Sequence, residues 1–144
     1  LYRGDLQSSS YKDRERKRGG EIKRRSAKTQ AIYREWVPRR LDYLSRYNSC
    51  CLGGGAADDV HEILCGAHRM RAFVEPCCWL PISRLRHDEL QGMPIVNQLA
   101  LKLLVDPENF DLERFHHVWG RPPGAITAAE VLEAVRGRLI ARET

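Results

Sequence analysis

The chain has no stretch approaching the roughly 18–20 consecutive apolar residues that a membrane-spanning helix requires. Its first residues do not follow the charged, apolar, then small-residue order of a secretory leader. The expectation is a cytoplasmic protein with no membrane partner. There is no Cys-x-x-Cys pair, which removes a tetra-cysteine zinc knuckle. The five cysteines are Cys50, Cys51, Cys65, Cys77 and Cys78, an odd number with two adjacent pairs. That is a poor framework for disulfides, so reduced thiols are expected. Gly53, Gly54 and Gly55 are followed by Ala56-Ala57-Asp58-Asp59, not by the Lys and Ser or Thr of a phosphate-cradling loop. The glycines are read as a turn.

What is present suits one domain with a modest core. The chain has 144 residues, 42% of them hydrophobic and 30% charged, close to globular averages. The net charge of +5 is unevenly placed: residues 1–49 carry 14 Lys or Arg against 6 Asp or Glu, and the remainder is slightly acidic. A cationic arm on such a body suits a polyanion, because each phosphate it neutralises releases condensed counterions. Residues 1–28 hold too few apolar side chains to bury a face, so a basic disordered arm is expected there.

From Thr29 the apolar spacing becomes helical, and residues 29–46 are expected to form one or two short helices interrupted at Pro38. Their outer face is basic, with Arg34, Arg39 and Arg40, and Trp36 is assigned to the core. Val60 to Leu64 and Cys77 to Ile82 read as short strands bounded by turn residues. Ser83 is a plausible N-cap for a helix from Arg84 to Gln91 that stops at Gly92 and carries His87 near its middle. Pro94 opens another helix, with Ile95, Leu99 and Leu103 along one stripe, ending near Asp106-Pro107. Asp111 can cap Leu112 to Trp119. Thr127 and Glu130 form a capping box for the last helix, with Ile126 stapled on Val131. The fold class expected is α+β with a helical C-terminal half.

Phosphodiester hydrolysis needs a cation to stabilise charge on the phosphate and leaving oxygen, and a base to activate water. His61 and Glu62 at the end of the first strand and His87 on the following helix could supply both. In order, His61-Glu62-Ile63, Gly66 and Arg69, Trp79-Leu80-Pro81-Ile82, and Arg86-His87-Asp88 with Leu90 resemble the HNH endonucleases. The resemblance runs from Tyr47 to Gln91 and is nearest the phage and phage-derived members with a His-Glu-Ile start. The helical stretch from Gln98 to Asp106-Pro107 also looks like their tails. It implies a ββα-metal core over residues 47–92, C-terminal helices over 93–144, and metal-dependent hydrolysis of DNA, most simply double-stranded.

By this resemblance His87 is a metal ligand, while His61 and Glu62 divide the ligand and base roles. Chemistry near neutral pH slightly favours His61 as base and Glu62 on the metal. The ion would be Mg, Mn, Ni or Zn. Arg69 and Arg86, with Arg24, Arg25, Arg39 and Arg40, are the expected nucleic-acid contacts. Three features depart from the family: Cys78 stands where its middle Asn is expected, Ser83-Arg84-Leu85-Arg86-His87 replaces its Cys-x-x-Cys-His step, and of the upstream zinc pair only Cys50-Cys51 remains. They motivate an alternative, a catalytically degenerate HNH-fold protein that binds nucleic acid without cutting it.

A rival metal set is Cys65-x-x-His68 with Cys77 or Cys78, or with Cys50 or Cys51, around zinc. The neighbours His116 and His117 point about 100° apart on a helix, so they are read as solvent-exposed and not as joint ligands. A third possibility is an interaction module whose Leu99 and Leu103 dock a protein partner.

Overall fold

A computed structural model describes residues 26–143. Of these, residues 36–143 form one compact unit, and residues 26–35 belong to a separate one. The expected basic arm, residues 1–28, lies almost wholly outside the described residues. Among the described residues the chain has six α-helices and a two-stranded antiparallel sheet, an α+β arrangement. None of these helices is long and apolar enough to cross a membrane.

Helix α1 spans Ala27–Arg46 as one element, so Pro38 does not divide it as expected. Proline removes one helical donor and crowds the preceding turn. Here the C-terminal half is nonetheless held by packing: Tyr43 is buried, with its ring edge-on to Trp79 at 5.2 Å. Trp36, expected in the core, is only half-buried and carries the Arg39 guanidinium 3.7 Å above its ring.

Strand β1 (Asp59–Glu62) pairs antiparallel with β2 (Trp79–Ile82), with His61 opposite Leu80 and Glu62 opposite Trp79. Both strands are shorter than expected. Cys77 and Cys78 lie in a 3-10 turn, Pro76–Cys78, ahead of β2. All four residues of β2 are buried. The connection between the strands holds a 3-10 turn, Gly66–His68, and the short helix α2 (Arg69–Phe73), whose Ala72 carbonyl accepts a 2.9 Å hydrogen bond from Trp79 Nε1.

After β2 the chain makes a 3-10 turn, Arg84–Arg86, and only then helix α3 (His87–Gln91). His87 therefore opens the α-helix instead of lying near the middle of a longer one. Ser83 sits at the expected cap position, but its side chain makes no capping bond. Asp58, just before β1, does this instead: its Oδ1 accepts from the Arg84 amide at 2.7 Å.

Helix α4 (Ile95–Val105) is buried through its middle from Gln98 to Lys102. Leu99 is part of the protein's own core and Leu103 packs against it, so this stripe is not a free docking face. Asp111 caps α5 (Leu112–Trp119) through a 2.9 Å bond from the Arg114 amide. Gly120 ends the helix at φ 76°, a left-handed conformation that glycine adopts without a side-chain clash. The box at α6 (Ala128–Glu143) forms as written: Thr127 Oγ1 accepts from the Glu130 amide and Glu130 Oε1 from the Thr127 amide. Val131 is buried in the core and Ile126 packs against it.

Candidate metal centre

Antiparallel pairing fixes which way each strand side chain faces, since successive residues point to opposite sides. His61 is buried on one side of β1, and Glu62 is directed to the other. Helix α3 brings His87, half-buried, against the first of these. His61 Nδ1 and His87 Nε2 are 3.1 Å apart, with ring planes at 67°. The opposite edge of the His61 ring meets α4, where Nε2 lies 2.7 Å from Gln98 Oε1. Burial pushes the His61 imidazole below its ordinary value, and His87 adds to this while the Gln98 contact opposes it. His61 is accordingly neutral near pH 7.

Glu62 has a different set of partners. Oε2 is paired with Arg40 from α1, and Oε1 accepts from Arg69 Nε of α2 at 3.3 Å. Thus the two histidines come together, while the carboxylate between them in the reading of the motif is held by two arginines. Among the described residues no group of three or more His, Cys, Asp or Glu side chains is gathered as a metal set.

The expected nucleic-acid residues fall in different environments. Arg69 is exposed over 61% of its side chain despite its contact with Glu62. Arg86 pairs with Glu89 and donates to the carbonyls of Leu52 and Gly53, which ties the glycine turn to α3. Arg39 is exposed on α1. Arg40, expected on a basic outer face, is instead largely buried: it stacks 4.1 Å above the Phe73 ring and donates to the Phe73 and Val60 carbonyls as well as to Glu62. Its fork of donors satisfies a carbonyl of β1 and the last carbonyl of α2. Arg24 and Arg25 lie outside the described residues.

Cys78, at the expected Asn position, is fully buried. Its backbone carbonyl accepts from the Ile63 amide at 2.8 Å, closing the loop that follows β1. Its thiol lies 3.8 Å from that of Cys77, and this contact together with burial pushes its pKa up, keeping it a thiol. Cys50, Cys51, Cys77 and Cys78 are all buried and Cys65 is exposed, and among the described residues the rival cysteine set is not gathered around Cys65 and His68. His116 is buried, contrary to the expected exposure. Its Nε2 accepts from the Ile126 amide at 3.0 Å, so Nδ1 is the nitrogen that donates to the Leu112 carbonyl at 2.8 Å. This histidine braces the loop before α6, and only His117 is exposed.

Gln98 is the site residue that sequence reasoning passed over. Gln98, Lys102 and Asp106 recur every fourth residue along an otherwise apolar segment, and all three are buried. Lys102 Nζ donates to the carbonyls of Pro76 and Trp79 and pairs with Asp106, which also accepts from the Tyr43 hydroxyl at 2.7 Å. Polar residues at four-residue spacing inside a buried apolar helix are a legible sign of a polar contact line, because each must find a partner.

A cleft of about 480 Å³ lined by Arg39, Asp42, Tyr43, Arg46, Tyr47 and Glu108, among others, contains neither histidine. A backbone phosphate does not require a deep cavity, so the histidine pair remains the better candidate. Compared with known proteins, the chain matches no family model, no curated protein and no solved structure.

Proposed function

We propose that the chain is a divalent-metal-dependent endonuclease of the HNH type that hydrolyses phosphodiester bonds in DNA, with β1, β2 and α3 as its ββα-metal core. The observation that carries this reading is the 3.1 Å approach of His61 Nδ1 to His87 Nε2. Two nitrogens bonded at about 2.0–2.1 Å to one ion lie roughly this far apart, so the pair fits a shared cation. Imidazole donors suit zinc or nickel better than magnesium. With two protein ligands, the remaining positions fall to water and to phosphate oxygens. A bound ion would stabilise the negative charge that develops on the phosphate and leaving oxygen.

His61 and His87 hold the ion in this scheme, which reassigns His61 from base to ligand. The Nε2 of His61 is committed to Gln98 and its Nδ1 faces His87, so no lone pair is left to take a proton from water. Glu62 faces the other side of β1 and is held by Arg40 and Arg69, so it does not face the ion, and this scheme assigns the base role to no side chain. Arg69 is the exposed partner of Glu62, and its guanidinium is open to a substrate phosphate. Arg40 keeps Oε2 of Glu62 in place. Arg39, with the cationic segment up to residue 49, supplies phosphate contacts, whereas the Arg86 guanidinium is already taken up by Glu89 and the glycine turn.

Purified protein is expected to nick supercoiled plasmid with Zn²⁺, Ni²⁺, Mn²⁺ or Mg²⁺ and to stop on chelation. His61→Ala and His87→Ala should each lower the rate at least about 100-fold, the scale of losing a charge-stabilising group. Plasmid left intact by wild type, at the level of His61→Ala, in all four metals would overturn the proposal. A second reading, a nucleic-acid-binding protein on the same scaffold that does not cut, is favoured by one observation: both oxygens of Glu62 already accept from arginines. Salt-dependent DNA binding without cleavage in any metal would establish it.

A further inference from the structure

The Gln98 side chain sits between two fixed groups. Its Nε2 donates to the Met93 carbonyl at 2.7 Å, in the turn that joins α3 to α4. A carbonyl only accepts, so the amide nitrogen must face Met93 and the amide oxygen must face His61. That oxygen in turn only accepts, and at 2.7 Å it requires the proton of His61 to reside on Nε2. Nδ1 is then the unprotonated nitrogen, and its lone pair accepts from His87 Nε2 at 3.1 Å. Gln98 is 3% exposed, and in so dry a site an amide without partners costs free energy.

We infer that Gln98 is a positioning residue that holds His61 as the Nε2–H tautomer and so presents Nδ1 as the metal-binding atom, a role that rests on the metal-centre reading above. The chain of control runs from the Met93 backbone carbonyl through the Gln98 amide to the imidazole. Histidine ligands are commonly oriented by such a contact on the far nitrogen, and its removal lowers metal affinity about 10–100-fold. Gln98 touches neither substrate nor metal, and its effect is on which nitrogen of His61 is available.

The test uses the full chain labelled with ¹⁵N in histidine. Long-range proton–nitrogen spectra at slightly alkaline pH should find His61 protonated on Nε2 and bare on Nδ1. Gln98→Leu removes the acceptor and should give a mixture of tautomers, with Zn²⁺ and Co²⁺ affinity reduced about 10–100-fold. Gln98→Asn keeps an amide one methylene too short for both contacts and should behave like the leucine variant. A His61 proton on Nδ1 in the wild type overturns the inference, whether or not any variant folds. So does an unchanged tautomer and affinity in the leucine and asparagine variants. If wild type binds neither Zn²⁺ nor Co²⁺ while the tautomer still follows residue 98, the metal centre fails and the orienting role of Gln98 stands.

Discussion

His61 and Glu62 are neighbours in sequence and diverge in space because a strand sends successive side chains to opposite faces. Their partners differ accordingly: His61 meets Gln98 and His87, and Glu62 meets Arg40 and Arg69. The two arginines should not be equivalent. Arg40 has only 12% of its side chain exposed, so Arg40→Ala leaves a mostly buried carboxylate half-paired and is expected to cost about 3–5 kcal/mol in denaturant unfolding. Arg69→Ala removes an exposed partner and should cost less than about 1 kcal/mol. If the proposed function holds, Arg69→Ala should instead weaken DNA binding. Equal stability losses for the two would contradict this division. The pairing of His61 with His87 was legible from residue types and order. The Glu62 clamp was not, since Arg40 lies 22 positions earlier and nothing local distinguishes it from its exposed neighbour Arg39.

Helix ends were the most readable elements, because a cap is a contact within three residues of sequence. The Thr127–Glu130 box is the clearest case. Hydrogen bonds from Thr127, chiefly its backbone amide, hold the Glu130 carboxyl below its ordinary value of 4.5. A depressed folded-state pKa means that the unfolded chain takes up the proton first. The contribution of the box is therefore full above pH 4.5 and is lost as pH falls through the lower folded value. Thr127→Ala is expected to lower the melting temperature by about 3–5 °C at neutral pH. The gap between wild type and Glu130→Gln should shrink as the solution is acidified below 4.5, and a gap that widens there would reverse the sign. The start of α3 was misread for the complementary reason. Ser83 is the local candidate, but the pairing of β1 with β2 brings Asp58 to the Arg84 amide from 26 residues away.

Beyond single elements, the buried line on α4 ties the unit together. Gln98 reaches β1, Lys102 reaches the carbonyls of Pro76 and Trp79, and Asp106 reaches Tyr43 on α1. Burial pushes the Lys102 ammonium below its usual range, with the Asp106 contact opposing it. Removing one member leaves a charge without its partner, so Lys102→Ala and Asp106→Ala should each destabilise by about 3–5 kcal/mol. Lys102→Ala combined with Asp106→Ala should cost less than the sum of the two single changes, with a coupling of about 0.5–3 kcal/mol in denaturant unfolding. Strict additivity would mean that the two side chains do not act as a pair.

The α+β class, the positions of most helices, the caps at Asp111 and Thr127, and the pair of histidines with a strand before and a helix after were determined by the sequence alone. Each depends on periodicity, on a contact within a few residues, or on side-chain chemistry that the order of residues already displays. Which face of β1 each motif residue occupies, the burial of Arg40 and His116, the cap from Asp58 and the orientation of His61 by Gln98 were decided only by tertiary structure. These depend on strand register and on how the helices and loops pack on the sheet and on one another, contacts that no local pattern relates.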